Sequence, residues 1–442
     1  MLRISLFFFT ILLYSITLTA QKTVARKLVA HLTENVENSE VFQRGFTGFA
    51  LFDPEERQLL YQYQADKYFT PASNTKILTF YAAQTLLRGE WPVIHYQERG
   101  DTLMLWGTGY PLLLHPDFVG YDTLAKWLQL REEKTWIIAN GHYQDERYGE
   151  GWSWDDYPFG YQMEKAALPV YGNAAHFSKT GHLAPIKVIP EYFQDKLVYE
   201  NTSTLSRYED RNIFTFSDRA LRTQNIDRSI GFHYDLPLVA KLLQDTFKRT
   251  VLYSMDTLPR AFRRKTLTAP IPDTVFQQFI QDSDNFLAEQ LLQVISAQRY
   301  GYVNSAHILS YVRDTLLAKA PQPFDWVDGS GLSRYNQFTP LSVVTVLDQL
   351  LTQVKREDLF RFFPAGGVSG TIEGWYKGPG GKPFVYAKTG TLRHVHCLSG
   401  YLLADNGKTY IFSFMHNNYP GKMNALKTEM QEILRWLRTN LE

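Results

Sequence analysis

The sequence predicts an α/β fold of the α+β kind: an antiparallel sheet built from both ends of the chain, helices on its faces, and inserted, mostly β subdomains between. Three observations carry this. The N-terminal part reads helix–strand–strand. The C-terminal part reads strand–hairpin–helix. Between 94 and 269 the texture changes to short apolar runs separated by turn residues.

Taken in order, residues 22–42 place Val24, Leu28, Val29 and Leu32 on one stripe, the spacing of an amphipathic helix. "FTGFALFD" and "QLLYQYQ" are two strands around the turn "PEER". "ADKYFTPAS" leads to a helix whose inward face is Ile77, Leu78, Tyr81, Ala82 and Leu86. In the middle, "TLMLWG", "TWIIANG", "IKVIP" and "RNIFTFS" read as strands and "YDTLAKWLQLREE" as a helix. Two aromatic-rich loops, "GEGWSWDDYPFGYQ" and "PEYFQDKLVYEN", intervene. Helical pattern returns over 272–300, with a break at "QDSD", and over 304–318. "VDGSGLSRYNQFTP" is a loop and "TPLSVVTVLDQLLTQV" an amphipathic helix. A Gly/Pro-rich loop ending in "GPGGKP" precedes the strand "FVYAKTGTL". "CLSGYLLA" and "TYIFSFMHN" form a hairpin on "DNGK", and the last helix sets Met423, Leu426, Met430, Ile433, Leu437 and Leu441 on one face.

The totals narrow the classes. With 442 residues, 44% of them hydrophobic, the chain can bury a large core and form two or three domains. A net charge of +1 without like-charge runs argues against nucleic acid as partner. The start, "MLRISLFFFTILLYSITLTAQK", has the charged, apolar and small-residue regions of a secretory leader over 1–20, which predicts export. An uncleaved leader would leave the protein loosely associated with a membrane. Cys397 is the one cysteine, so no internal disulfide, thiolate metal cluster or N-terminal lipid-bearing cysteine is available.

Three short motifs carry chemistry. Ser73 and Lys76 lie three apart at a helix start, on one side and one turn apart. A desolvated lysine can act as base toward a serine hydroxyl, and a helix N-terminus offers N–H groups for an oxyanion. Ser283-Asp284-Asn285 sets a hydroxyl and an amide two residues apart in a turn between helices. Lys388-Thr389-Gly390-Thr391 lies on a strand, with Lys388 and Gly390 to one side and Thr389 to the other. Gly390 leaves room for a substrate backbone. Each motif taken alone is a common accident: a capped helix, a turn, a strand lysine. Together and in this order they are the signature of penicillin-binding proteins and class A β-lactamases.

The chain resembles the penicillin-binding protein 4 type of D-alanyl-D-alanine carboxypeptidase/endopeptidase, the DacB-like family. "PASNTKILT", "SDNFLAEQLL", "DGSGLSRYN", "GGVSGTI" and "KTGTLRHVHCLSGYL" all match that family, as does the long gap between Ser73 and Ser283. "GTGYPLL" departs from its glycine-rich element, with Tyr110 where an aspartate is usual. The resemblance implies a penicillin-recognising, serine-transpeptidase-like domain over 21–93 and 270–442, with 94–269 inserted. It implies that Ser73 attacks D-Ala–D-Ala with Lys76 as base, that Ser283 relays a proton with help from Lys388, and that Asn285 orients the acyl side. Lys388, Thr389 and Thr391 would hold the terminal carboxylate, with the oxyanion between the N–H groups of Ser73 and Thr391. Peptidoglycan stem peptides would be the substrate, β-lactams the inhibitors, the periplasm the location, and no cofactor or metal would be needed. A soluble β-lactamase and a catalytically silent penicillin-recognising receptor are the alternative readings.

Other candidates carry less. His394 and His396 are placed on one face of a strand, without a third metal ligand nearby. "GPGGKP" lacks the Ser or Thr and the following helix of a phosphate loop. Trp152 and Trp154 are read either as a glycan- or peptide-touching pair or as a satellite core.

Overall fold

The computed structural model describes residues 26–182, 184–201, 205–255 and 264–441; the leader read at 1–20 lies outside them. Contacts divide the chain into two compact units. One comprises Met1–Ile77, Lys319–Asp325 and Gln337–Glu442, the other Leu78–Ala318 and Trp326–Asn336.

The first unit is built on a five-stranded sheet. Its order is Val385–Leu392, Val395–Leu403, Thr409–Asn417, Phe46–Asp53 and Gln58–Tyr63. Every neighbouring pair is antiparallel, so both chain ends do contribute to one sheet. Val395–Leu403 and Thr409–Asn417 are buried along almost their whole length, which requires cover on both faces. One cover comes from Leu28, Leu32 and Val36 near the N-terminus and from Leu426, Met430, Ile433 and Leu437 of the helix Met423–Asn440. On that face Phe49 stacks on Phe414 with centroids 3.9 Å apart. On the other, a Cβ at Gly48 would lie 2.9 Å from Pro340 Cγ, because the helix Pro340–Gln353 packs there. Thr339 caps that helix, accepting from Ser342 N at 3.2 Å, and Pro340 fills a position whose N–H has no helical acceptor.

The second unit holds a five-stranded sheet in the order Thr250–Ser254, Thr135–Ala139, Thr102–Trp106, Glu90–Arg99 and Lys265–Pro270. Two small three-stranded sheets accompany it, so the middle is mostly β. The helix Asn285–Tyr300 packs against Glu90–Arg99, which groups 78–93 and 270–318 with these strands rather than with the terminal sheet. Among the described residues no helix is long and apolar enough to cross a membrane.

Leu236–Phe247 and Arg356–Phe362 are among the helices that escaped the sequence reading. The first is capped by Asp235, which accepts from Leu238 N at 2.7 Å, but its far end is marked by Lys248 at φ +55° instead of a glycine. The expectation for His394 is corrected. It sits in the turn between Val385–Leu392 and Val395–Leu403 at φ +66°, and its Nδ1 lies 3.0 Å from Tyr419 O.

Candidate active site

The Ser73–Lys76 segment begins as a tight turn. Ala72–Thr75 is 3-10, followed directly by the α-helix Lys76–Leu86. Three residues per turn bring side chains three apart into line on one side of the turn. Lys76 Nζ accordingly lies 3.1 Å from Ser73 Oγ. Lys76 is fully buried while Ser73 keeps partial exposure.

That turn is fastened to the strand Val385–Leu392 by backbone proximity. A Cβ at Gly390 would lie 2.3 Å from Pro71 O, 2.8 Å from Asn74 N and 3.1 Å from Ser73 N. The space expected for a substrate backbone is therefore filled by the chain's own Pro71–Asn74 turn. Asn74 Nδ2 donates to Lys388 O at 2.8 Å. Asn417 holds Thr70 from both sides, accepting from its N–H at 2.7 Å and donating to its carbonyl at 3.1 Å.

Along the same strand, Val385 and Ala387 face the core beneath the terminal helices, so alternation gives that face to Thr389 and Thr391 and the opposite one to Lys388 and Gly390. Lys388 is fully buried, and its Nζ donates to Thr389 O at 2.9 Å. Thr389 Oγ1 donates to Thr371 Oγ1 at 2.8 Å. Thr391 Oγ1 lies 3.0 Å from His396 Nδ1.

Sequence reasoning missed what stands behind Thr391. Across the sheet Thr391 pairs with His396, His396 with His416, and His416 with Thr47. His416 Nδ1 is 2.9 Å from Thr47 Oγ1. Burial, with a smaller push from Lys427, lowers His396 to about 3; burial and then His396 lower His416 to about 3. Both rings are neutral at ordinary pH. Polar residues recurring in otherwise apolar strands were the available signal. Among the described residues no cluster of three or more His, Cys, Asp or Glu could hold a metal ion.

The Ser283-Asp284-Asn285 motif belongs to the second unit. Asp284 caps the helix Asn285–Tyr300, its Oδ1 accepting from Leu287 N at 2.8 Å. Ser283 is held at φ +62°, a left-handed conformation uncommon for a non-glycine residue. Asn285 opens the helix, and its Nδ2 donates to Tyr161 O at 2.8 Å, so an aromatic-rich loop fixes the amide.

One turn further along, the fully buried Glu289 accepts from Ser330 N at 2.7 Å. Burial first, and then the charge of Asp328, pushes its carboxyl up to about 7. Asp328 gathers the loop that follows: it accepts from Gly331 N at 2.9 Å, Ser333 N at 2.7 Å, Asn336 Nδ2 at 2.7 Å and Trp152 Nε1 at 2.9 Å. Trp152 thus braces this loop, whereas Trp154 is 77% exposed. Tyr110, at the position where the resemblance leads one to expect an aspartate, is buried and accepts from Thr123 N at 3.2 Å.

Comparison with known proteins agrees with this architecture. The model of the D-Ala-D-Ala carboxypeptidase 3 (S13) family matches residues 28–204 and 241–440. D-alanyl-D-alanine carboxypeptidase DacB of Haemophilus influenzae is 23% identical, covering 94% of this chain and 93% of the relative. The D-alanyl-D-alanine carboxypeptidase of an Actinomadura species is 24% identical, covering 91% of this chain and 85% of the relative. The crystal structure of penicillin-binding protein 4 (dacB) from Haemophilus influenzae in complex with a β-lactam superposes with a TM-score of 0.70. It shares 18% identity and covers 91% of this chain and 99% of that one, a likeness of fold. With the family's model spanning both the Ser73–Lys76 turn and the Lys388–Thr391 strand, this chain belongs to the D-Ala-D-Ala carboxypeptidase 3 (S13) family and is a serine-type carboxypeptidase.

Proposed function

We propose that Ser73 is the residue acylated by peptidoglycan stem peptides ending in D-Ala–D-Ala, with Lys76 as its base. The observation that carries this is the 3.1 Å separation of Lys76 Nζ from Ser73 Oγ in a turn where the lysine is buried and the serine is not. In the neutral form, Lys76 takes the hydroxyl proton as Ser73 Oγ attacks the penultimate D-alanyl carbonyl. The tetrahedral oxyanion is received by the N–H groups of Ser73 and Thr391. Collapse breaks the peptide bond, Ser283 passes a proton to the departing amine with help from Lys388, and D-alanine leaves. Water then hydrolyses the acyl-serine ester. Lys388, Thr389 and Thr391 hold the terminal carboxylate, Gly390 admits the nucleophile turn beside them, and Asn285 orients the acyl side.

In this reading 21–93 and 270–442 form the catalytic domain and 94–269 is an insertion. Residues 1–20 direct export to the periplasm, where the protein associates at most loosely with the membrane. β-Lactams acylate Ser73 by the same first step and leave slowly. D-Alanyl cross-links are cut by the same chemistry.

Digestion of purified muropeptides, with products weighed, tests this. The expected result is loss of one D-alanine from pentapeptides and release of monomers from cross-linked dimers, both absent in Ser73→Ala. Product formation by Ser73→Ala would overturn it.

A further inference from the structure

The loop 364–376 is built as a rigid extension of the Lys388 strand, and it presents a hydroxyl that nothing above has used. Gly366 N donates to Val385 O at 2.9 Å and Ala387 N donates to Pro364 O at 3.0 Å, so the start of the loop pairs with the open edge of the strand. The loop closes on itself through Gly367 N to Ile372 O at 3.2 Å and Ser369 N to Ala365 O at 2.9 Å. Gly367 and Gly370 adopt φ +74° and +64°, which only glycine takes without strain. The far end is anchored, since Ile372 and Tyr376 are in the core and Tyr376 N donates to Gln431 Oε1 of the last helix at 2.8 Å. Between these anchors stands Thr371, exposed, with its hydroxyl 2.8 Å from that of Thr389.

We propose that Thr371 is a positioning and specificity-determining residue for substrates with a free terminal carboxylate, acting through Thr389. This rests on the carboxylate-holding role proposed above for Thr389. A hydroxyl has one proton and two lone pairs. Without substrate, the Thr389 proton goes to Thr371. When a carboxylate arrives, the Thr389 proton turns to it, and Thr371 donates its own proton into the Thr389 lone pair. Thr389 is thereby kept facing the anion as a donor, and the second hydrogen bond polarises the first. A neutral ester in the same place accepts more weakly and gains less from that pair.

The test compares Ser73 acylation by benzylpenicillin and by its methyl ester, followed by intact-protein mass, in the full-length protein. The wild-type favours the acid. In Thr371→Val, which keeps the shape and removes the hydroxyl, the acid-to-ester ratio of acylation rates falls about five- to tenfold, the scale of one lost hydrogen bond. Thr371→Ser restores the ratio. With a D-Ala–D-Ala peptide, KM rises in Thr371→Val while kcat stays within about twofold, as loss of uniform binding requires. An unchanged ratio, equal slowing of both compounds, or no rescue by serine would overturn the proposal. If the wild-type is acylated at Ser73 by neither compound, the Ser73 assignment and the Thr371 role fall together.

Discussion

The part of the chain that carries Ser73 and the part that carries Ser283 are each braced internally, by different kinds of contact. Around Ser73 the fastening is close backbone approach tied by neutral amides: Gly390 lets Pro71–Asn74 lie on its strand, and the Asn74 and Asn417 side chains bond Lys388 O and Thr70. Around Ser283 and Asn285 the fastening is by carboxylates: the half-buried Asp284 caps the helix, the buried Asp328 gathers five donors, and the buried Glu289 holds Ser330 N. Behind the first lies a pair of buried neutral histidines; within the second lies a carboxyl pushed up to about 7. The contrast teaches that one set of geometry is guarded by shape and the other by charge, so different substitutions and opposite pH changes should disturb them.

Lys76→Met gives the largest effect on activity. Removing the base proposed for Ser73 should slow acylation about 10²- to 10⁴-fold. Stability, read by thermal melting, should change little, because a buried amine is replaced by an apolar side chain of similar length. A mutant that acylates within tenfold of wild-type would remove Lys76 from its role.

Next in size are two substitutions that separate shape from charge. Asp328→Ala leaves several buried donors without an acceptor and should cost about 3 kcal/mol or more in urea unfolding. Gly390→Ala forces a methyl against Pro71 O and should cost about 1–3 kcal/mol. It should also abolish acylation, since Ser73 N lies 3.1 Å from the new atom. If Gly390→Ala acylates normally, the turn is not seated as described.

The smallest effect is in the pH dependence of stability. His396 and His416 have folded values near 3 against 6.5 unfolded, so below 6.5 the unfolded chain binds more protons. Their contribution is lost as pH falls from 6.5 toward 3. Glu289 behaves oppositely: with a folded value of about 7 against 4.5, the folded chain binds the extra proton in that window. Its contribution is lost as pH rises from 4.5 through 7. Unfolding measured across pH should show His396→Asn flattening the acid limb and Glu289→Gln flattening the limb above 4.5. Parallel curves for both variants and wild-type would contradict the comparison.

The terminal sheet was legible in the sequence because its strands alternate or run apolar between clear turns, and the helix Met423–Asn440 shows its buried face at helical spacing. The pairing of Ser73 with Lys76 was legible too, since spacing alone puts them on one side. What Gly390 is for was not: a sequence shows that a glycine leaves space but not which atoms fill it. The Thr391–His396–His416–Thr47 row was hidden because register between distant strands is a tertiary property. The helix Leu236–Phe247 was hidden by its unusual end at Lys248. Thr371 lies inside the matched "GGVSGTI" segment, but its partner was not legible there, because the contact is with a hydroxyl on a separate strand.

The most direct test of the central claim is to treat the protein with benzylpenicillin, digest it, and find the modified peptide by mass. A single adduct on Ser73, missing in Ser73→Ala and formed much more slowly in Lys76→Met, is the predicted result. An adduct on another residue, or an unmodified wild-type protein under conditions where it remains folded, would contradict the account.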